Sequence, residues 1–328
     1  MSEQPIWSRR VEREDEGVRL DRWLRREIPD LTQGIIQKNL RLRGISVNGR
    51  KAEASLRLQA GDEVIVRPQI LKALEGLVTQ KPLPRLSSPA LQKLANEIQN
   101  FLEFRGDGFL VLNKPRGVAT QGGTGIQASL DEALNLWLAP QGLKAFLVHR
   151  LDKDTSGLLI VALTQAMATE LTRLFRERLV RKTYLAVVVG SPPELAGKCH
   201  TWMMKQRGIL KEKMGAVSKE TPGALEAHCS YRVLGQGEGL SLVELIPETG
   251  RTHQLRLQMA LLGCPILGDF KYGGQKALPQ GREGLHLHAR SLQLNLSRGD
   301  VPFAFEARLP EMIEETLRNR GIIFGVVR

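Results

Sequence analysis

The alternation of apolar and polar positions divides this chain into a short basic first part and a long, strand-rich second part. In VRLDRWLRREI, Leu20, Trp23, Leu24 and Ile28 recur at helical spacing, while Arg19, Arg22, Arg25 and Arg26 occupy the remaining surface. Pro29 is expected to stop that helix. Thr32 can cap a second one with Ile35, Ile36 and Leu40 on its apolar face, Lys38, Arg41 and Arg43 adding charge, and Gly44 at its close. ISVNGRK then predicts a short strand with an Asn48-Gly49 turn, and SLRLQAGDEVIV a Gly61-Asp62 turn before a second apolar strand. Residues before Gly17 are charged without periodicity, so a flexible or edge segment is expected there.

Beyond Pro68 the pattern changes. KPLPRLSSP has three prolines in nine residues, which predicts extended connecting chain. ALQKLANEIQNFL places Leu91, Leu94, Ile98 and Phe101 or Leu102 at helical spacing behind a Ser88 cap, giving one short helix within that connection. From there strands dominate. Phe109 to Leu112 and Leu158 to Val161 are continuous apolar runs of the kind buried on both faces, and RKTYLAVVVG, AHCSYRV and LSLVELI read as further strands. TQAMATELTRLFRERL is an amphipathic helix with Met167, Leu171, Leu174 and Phe175 inward. Thr252 is placed to cap another, in which Leu255, Met259 and Leu262 pack inward and His253 and Arg256, three apart, share a different face. The expectation is an α+β protein with a small domain over 17–68, a linker with a short helix over 69–101 and a large domain over 102–328.

Composition narrows what such a protein binds. The chain has 328 residues, 42% of them hydrophobic, enough for one large core and a smaller unit. A formal charge of +12 points to a polyanion, with nucleic acid the leading partner and an anionic membrane surface the weaker one. Between Arg19 and Arg43 there are seven basic residues against three acids, which makes Arg22, Arg25, Arg26, Lys38 and Arg41 phosphate contacts in preference to a merely solubilising face. The same argument leaves two readings open for Met203 to Lys219, where Lys205, Arg207, Lys211, Lys213 and Lys219 oppose only Glu212: a solvated loop or an RNA-contacting insertion.

Several chemistries lose support. Cys199, Cys229 and Cys264 make an odd count with no C-x-x-C, so no disulfide framework is indicated and a reducing compartment is expected. Cys199-His200 and His228-Cys229 stand in mirrored order without any structural zinc spacing, so no metal is expected. GGTG at 122–125 lacks the G-x-x-x-x-G-K-[ST] context and GQGEG at 235–239 reads as a turn between strands, so no nucleotide or flavin cofactor is implied. The N-terminus has no signal-peptide core, and no run of about 18 apolar residues occurs. A cytoplasmic monomer away from membranes is expected.

The densest chemistry lies at HRLDKDTSGLLIVA, from His149 to Ala162. Asp152 sits on a loop with Arg150 two positions away, on the same side of extended chain, and Thr155, Ser156 and Gly157 form a polar turn before the strand. This stretch resembles the signature H-R-L-D-x-x-T-S-G of the RluA-type pseudouridine synthases, matching every fixed position. Asn113, Lys114, Pro115 and Gly117 resemble that family's N-K-P-x-G element. Lys182 and Tyr184 resemble its basic residue and tyrosine, GRTHQLR at 250–256 its G-R-x-H-Q-[IL]-R motif, and GDFKYG and LHARSL its closing elements. The first part resembles the small RNA-binding fold known from ribosomal protein S-four. LNLSRGDVPFAF departs from the family's F-x-H-P ending, which bears on a sheet edge.

The resemblance, closest to the type that modifies large-subunit ribosomal RNA, implies a mixed, largely antiparallel sheet with the cleft across it. It also implies isomerisation of uridine to pseudouridine, in ribosomal RNA or alternatively transfer RNA, without a cofactor. It makes Asp152 the catalytic carboxylate, acting on the sugar, the base or a ribose proton. Tyr184 becomes the base-stacking ring and Arg256 the partner of Asp152, with Arg150, Lys182, Arg251 and His253 as RNA or structural contacts.

Overall fold

A computed structural model of the protein describes residues 7–28, 30–71, 88–123, 125–206, 213–277, 284–297 and 302–323. Its backbone falls into two units, Met1–Leu86 and Ser87–Arg328. In the first, Leu20, Trp23 and Leu24 project from one side of the helix Leu20–Glu27 and Ile36 and Leu40 from the helix Gln33–Arg41, meeting Ile45, Val47, Val64 and Val66 in one core. Thr32 caps the second helix, its hydroxyl accepting the Ile35 N–H. Pro29, the expected stop of the first, lies outside the described residues.

Strand β1 (Trp7–Arg10) pairs antiparallel with β3 (Glu63–Val66), which pairs antiparallel with β2 (Ile45–Val47), so the sheet order is β1-β3-β2. The unit therefore begins about ten residues before Gly17. Trp7 and Val11 pack in the same core and Trp7 meets Trp23 edge-on at 6.1 Å, which fixes a segment otherwise rich in charge. Asn48 and Gly49 both have positive φ, the turn expected between β2 and Arg50.

The second unit is one mixed sheet. Strands β4 (Leu102–Gly106), β5 (Phe109–Lys114), β6 (Phe146–Leu147), β7 (Ser156–Ala162), β8 (Arg181–Val189), β9 (Ala196–Gln206), β10 (Lys213–Ala216), β11 (Leu225–Gly237), β12 (Leu240–Pro247), β13 (Leu287–Leu294) and β14 (Phe303–Glu306) run in the order β10-β9-β11-β12-β8-β13-β7-β5-β4. β14 adds to β13 and β6 to β7. Among the described strands only β13 and β7 are parallel; the other pairs are antiparallel. No helix among the described residues is long and apolar enough to cross a membrane.

Alternation explains the continuous apolar runs. Leu159 and Val161 of β7 and Leu110 and Leu112 of β5 face one core, while Leu158 and Ile160 with Phe109 and Val111 face another beneath the helix Gln165–Arg176. The helix Pro89–Phe101, expected within a linker, instead belongs to the second unit. Leu94, Ala95 and Ile98 are buried with Leu110, Leu112, Leu130 and Leu134, and Ser88 caps it by accepting the Leu91 N–H. Its apolar stripe is matched by the helix Leu130–Leu138, which closes that core from the same side. The region 207–212, including Arg207, Lys211 and Glu212, lies outside the described residues, and the segment around it is the β9-β10 hairpin.

Where β7 passes β13 the backbones approach closely. Gly157 has φ 108°, and a Cβ built there would lie 2.2 Å from the Ala289 carbonyl oxygen. The glycine after the Asp152 loop is thus required by both dihedral and space. Gly157→Ala is expected to cost roughly 3 kcal/mol or more in a denaturant melt, from strain plus overpacking. At Gly239, with φ 76° and nothing within 4 Å, the same change should cost only about 1 kcal/mol. Equal losses at the two positions would show that the close approach carries no energy.

Candidate active site

The loop carrying Asp152 is held from both sides by buried side chains. Thr120 Oγ1 donates to the Leu151 carbonyl at 2.7 Å and accepts the Leu151 N–H at 3.2 Å. Lys114, fully buried, donates through Nζ to the carbonyls of Pro115 and Val118 at 2.9 Å and of Lys153 at 3.2 Å. Burial lowers its ammonium to about pKa 7, with Asp154 and Asp152 opposing that shift. The Thr155 N–H closes the turn onto the Asp152 carbonyl at 3.1 Å, and Ser156 Oγ lies 2.9 Å from His288 Nδ1. His149 stacks on Phe175 at 4.3 Å and accepts the Ile160 N–H at Nε2, 3.0 Å away. Burial lowers it to about pKa 3, followed by the charge of Lys182, so it is a neutral packing group.

One cavity of about 90 Å³ is lined by Arg150, Asp152, Lys182, Tyr184, Arg251, His253 and Arg256, so the residues named from the sequence in this unit converge. Arg22, Arg25, Arg26, Lys38 and Arg41 are in the other unit, all exposed. Arg26 pairs with Asp15 and Glu27 of its own unit. A second cavity of about 430 Å³ shares Arg150, Lys182, Tyr184 and Arg251 with the first and adds Arg176 and Arg178.

Asp152 is the one carboxylate among the described residues of the first cavity. Burial raises its carboxyl above the ordinary 3.8, against the charges of Arg256, Arg150, Lys114 and Lys271. Tyr184 is pushed up in turn by burial and then by the charge of Asp152, so it presents a neutral phenol. His253 Nε2 stands 3.8 Å from Asp152 Oδ2, too far for a hydrogen bond. Burial, followed by Arg256 and Lys271, lowers His253 to about pKa 4, which makes this a polar contact and not an ion pair.

Arg256 departs from expectation. Its direct partner is Asp269, not Asp152: Nε donates to Oδ2 at 2.8 Å and an NH2 group to Oδ1 at 2.7 Å. Asp269 is fully buried at the N-terminus of the short helix Phe270–Gly273, and the turn through Gly263 and Gly268 folds it back under the helix Gln254–Leu261. Among the described residues only Asp269 lies close enough to accept the guanidinium fork. Arg256 reaches Asp152 as a field.

The helix itself also starts differently. His253, not Thr252, is the cap position, in left-handed backbone with φ 53°, which turns its ring toward Tyr272, whose hydroxyl is 2.9 Å from Nδ1. The preceding loop is pinned by Gln254. Its Oε1 accepts from Thr249 Oγ1 at 2.7 Å and the Arg251 N–H at 3.1 Å, and its Nε2 donates to the His228 carbonyl at 2.9 Å. Lys114, Thr120, Gln254, Asp269 and Tyr272 are therefore the supporting residues that sequence reasoning missed. Lys114, Gln254, Asp269 and Tyr272 were visible as fixed letters of the matched motifs. The sequence offers no signal for Thr120.

The four Cys and His residues considered for metal separate. Cys199 and Cys229 are buried, while His200 and His228 face the other side of the sheet and meet Glu226, with each Nε2 3.1 Å from its Oε1. That convergence depends on the β9-β11 register and not on sequence spacing.

A family model described as RNA pseudouridylate synthase matches residues 108–261. Ribosomal large subunit pseudouridine synthase C of Rickettsia bellii is 42% identical over 89% of this chain and 94% of its own length. The protein of the same name from Vibrio cholerae is 32% identical over 92% of each. The solved structure of human RNA pseudouridylate synthase domain containing 4 superposes with a TM-score of 0.60 at 27% identity, covering 72% of this chain and 98% of that one.

Proposed function

Because the chain belongs to the RNA pseudouridylate synthase family and is an RNA pseudouridine synthase, we propose that it isomerises uridines of large-subunit ribosomal RNA in the cytoplasm with Asp152 as the catalytic carboxylate. Relatives named for that RNA align over nearly the whole chain, which supports the substrate. The observation carrying the chemistry is a single poorly solvated carboxylate beside a neutral aromatic ring, in a cavity walled by Arg150, Lys182, Arg251 and Arg256.

The reaction breaks the bond between ribose C1′ and uracil N1, turns the base, and joins C1′ to C5. The C5 hydrogen leaves and N1 gains one, so composition is unchanged and no oxidant, reductant or co-substrate enters the balance. Asp152, kept ionised against its desolvation by the charges of Arg256, Arg150 and Lys114, acts at the ribose-uracil junction. The Tyr184 ring faces the base, replacing stacking lost when the uridine leaves its helix. The cations bind phosphates and position the strand. Free Cys199, Cys229 and Cys264 support a reducing compartment.

Since the reaction needs Asp152 ionised and burial raises its carboxyl, activity at saturating RNA should fall as pH drops through a midpoint above 3.8. A midpoint at or below that value, with the fold monitored by circular dichroism, would contradict the site.

The first unit, which resembles the S-four fold, is assigned as an electrostatic anchor through Arg22, Arg25, Lys38 and Arg41, all exposed. Changing these four to Gln should flatten the dependence of log K on log salt by about 3, at roughly 0.7–0.9 per phosphate contact, while kcat stays the same. An unchanged slope would remove the unit from RNA binding. The substrate is tested by mapping pseudouridine after carbodiimide labelling in cells with and without the gene. Sites lost from large-subunit RNA support the proposal, and losses confined to transfer RNA overturn its substrate.

A further inference from the structure

We propose that His200, His228 and Glu226 form a binding site for one divalent transition-metal cation on the solvent-facing side of β9 and β11, apart from the catalytic cavity. The placement follows from register. His228 lies directly opposite His200 across the antiparallel pair, and Glu226, two residues earlier on β11, shares its face. The imidazoles stack with centroids 4.3 Å apart and planes 12° from parallel, and both Nε2 atoms are 3.1 Å from the same Glu226 oxygen. All three ligand atoms lie within 4.8 Å of one another.

Without a metal, one Glu226 oxygen can accept from both Nε2–H groups. A single divalent ion would take the place of those hydrogens, binding two neutral imidazoles and a carboxylate at once. The donor set of two nitrogens and one oxygen suits zinc, cobalt or nickel and disfavours magnesium and calcium, which prefer oxygen. Side-chain exposures of 52%, 30% and 40% leave the remaining coordination positions to water.

The backbone of the ligands is braced. The His228 N–H donates to Thr249 Oγ1 at 2.9 Å, Gln254 Nε2 donates to the His228 carbonyl, and Arg251 Nε donates to the Glu226 carbonyl at 3.1 Å. Preordered ligands of this kind lose little entropy on binding. Cys199 and Cys229 are the nearest alternative donors in sequence, but their side chains are buried.

Chelator-treated full-length protein titrated with zinc chloride at about pH 7.5 should bind one equivalent. Binding should be at least about 100-fold weaker in His200→Ala/His228→Ala. Magnesium should not compete. Cobalt should give visible d–d bands without a thiolate charge-transfer band. Glu226→Gln, which keeps size and fold, should weaken binding by itself. Zinc affinity equal in the wild type and the double variant, or a cobalt spectrum with thiolate bands that survives the double substitution, would overturn the site.

Discussion

Asp152→Asn is expected to slow pseudouridine formation by about 10³-fold or more at saturating RNA, with RNA affinity changed by less than about threefold. The amide keeps the shape of the carboxylate and leaves the loop contacts of Leu151, Lys153 and Thr155 untouched, since those run through backbone atoms. It removes the only carboxylate among the described residues of the cavity. Binding rests instead on the surrounding cations, which the substitution does not alter, and loss of a buried anion among them should if anything strengthen their pull on phosphate. Single-turnover conversion measured by nucleoside chromatography, beside filter binding of the same RNA, separates the two effects. Appreciable turnover by the variant would remove Asp152 from the chemistry.

Arg256→Ala should cost stability and rate together, and for different reasons. Removing the guanidinium leaves Asp269, whose side chain is fully buried, without the partner of its two short hydrogen bonds, a loss of about 3–5 kcal/mol. It also deletes the charge that most opposes the upward shift of Asp152, so less of that carboxyl is ionised at a given pH and the acid limb of the rate profile moves upward. The double variant Arg256→Ala/Asp269→Asn separates the two. With the orphaned charge neutralised, most of the lost stability should return, whereas the rate should stay low because the field at Asp152 is still missing. Recovery of the rate along with stability would mean that Arg256 serves only the buried pair.

Much of the fold was legible because period and capping agree with environment: Leu20, Trp23 and Leu24 on one helix face, Thr32 and Ser88 as caps, and Asn48-Gly49 as a turn. The features that escaped depend on contacts distant in sequence. The helix Pro89–Phe101 follows a proline-rich stretch, and nothing local tells whether its stripe meets a core. Trp7 and Val11 are scattered apolar residues among many charges. The loop carrying Asp152 was legible because its signature is local, ending in a glycine that must pass under Ala289. The Arg256–Asp269 pair was not, since the partner thirteen residues on is brought back by a turn, and both carboxylates lie within electrostatic reach of the guanidinium. Lys114 escaped because a buried lysine runs against composition, and its three carbonyl acceptors come together only once the strand and loop have folded.

The central claim is most directly tested by release of tritium from large-subunit ribosomal RNA transcribed with uridine labelled at C5, since joining C1′ to C5 expels that hydrogen whatever part Asp152 plays in the step. The wild-type protein should release tritium to a plateau set by a small whole number of uridines per RNA, with no added cofactor, and Asp152→Asn should release none above background over the same time. No release by the wild type from this RNA, or equal release by both proteins, would contradict the account.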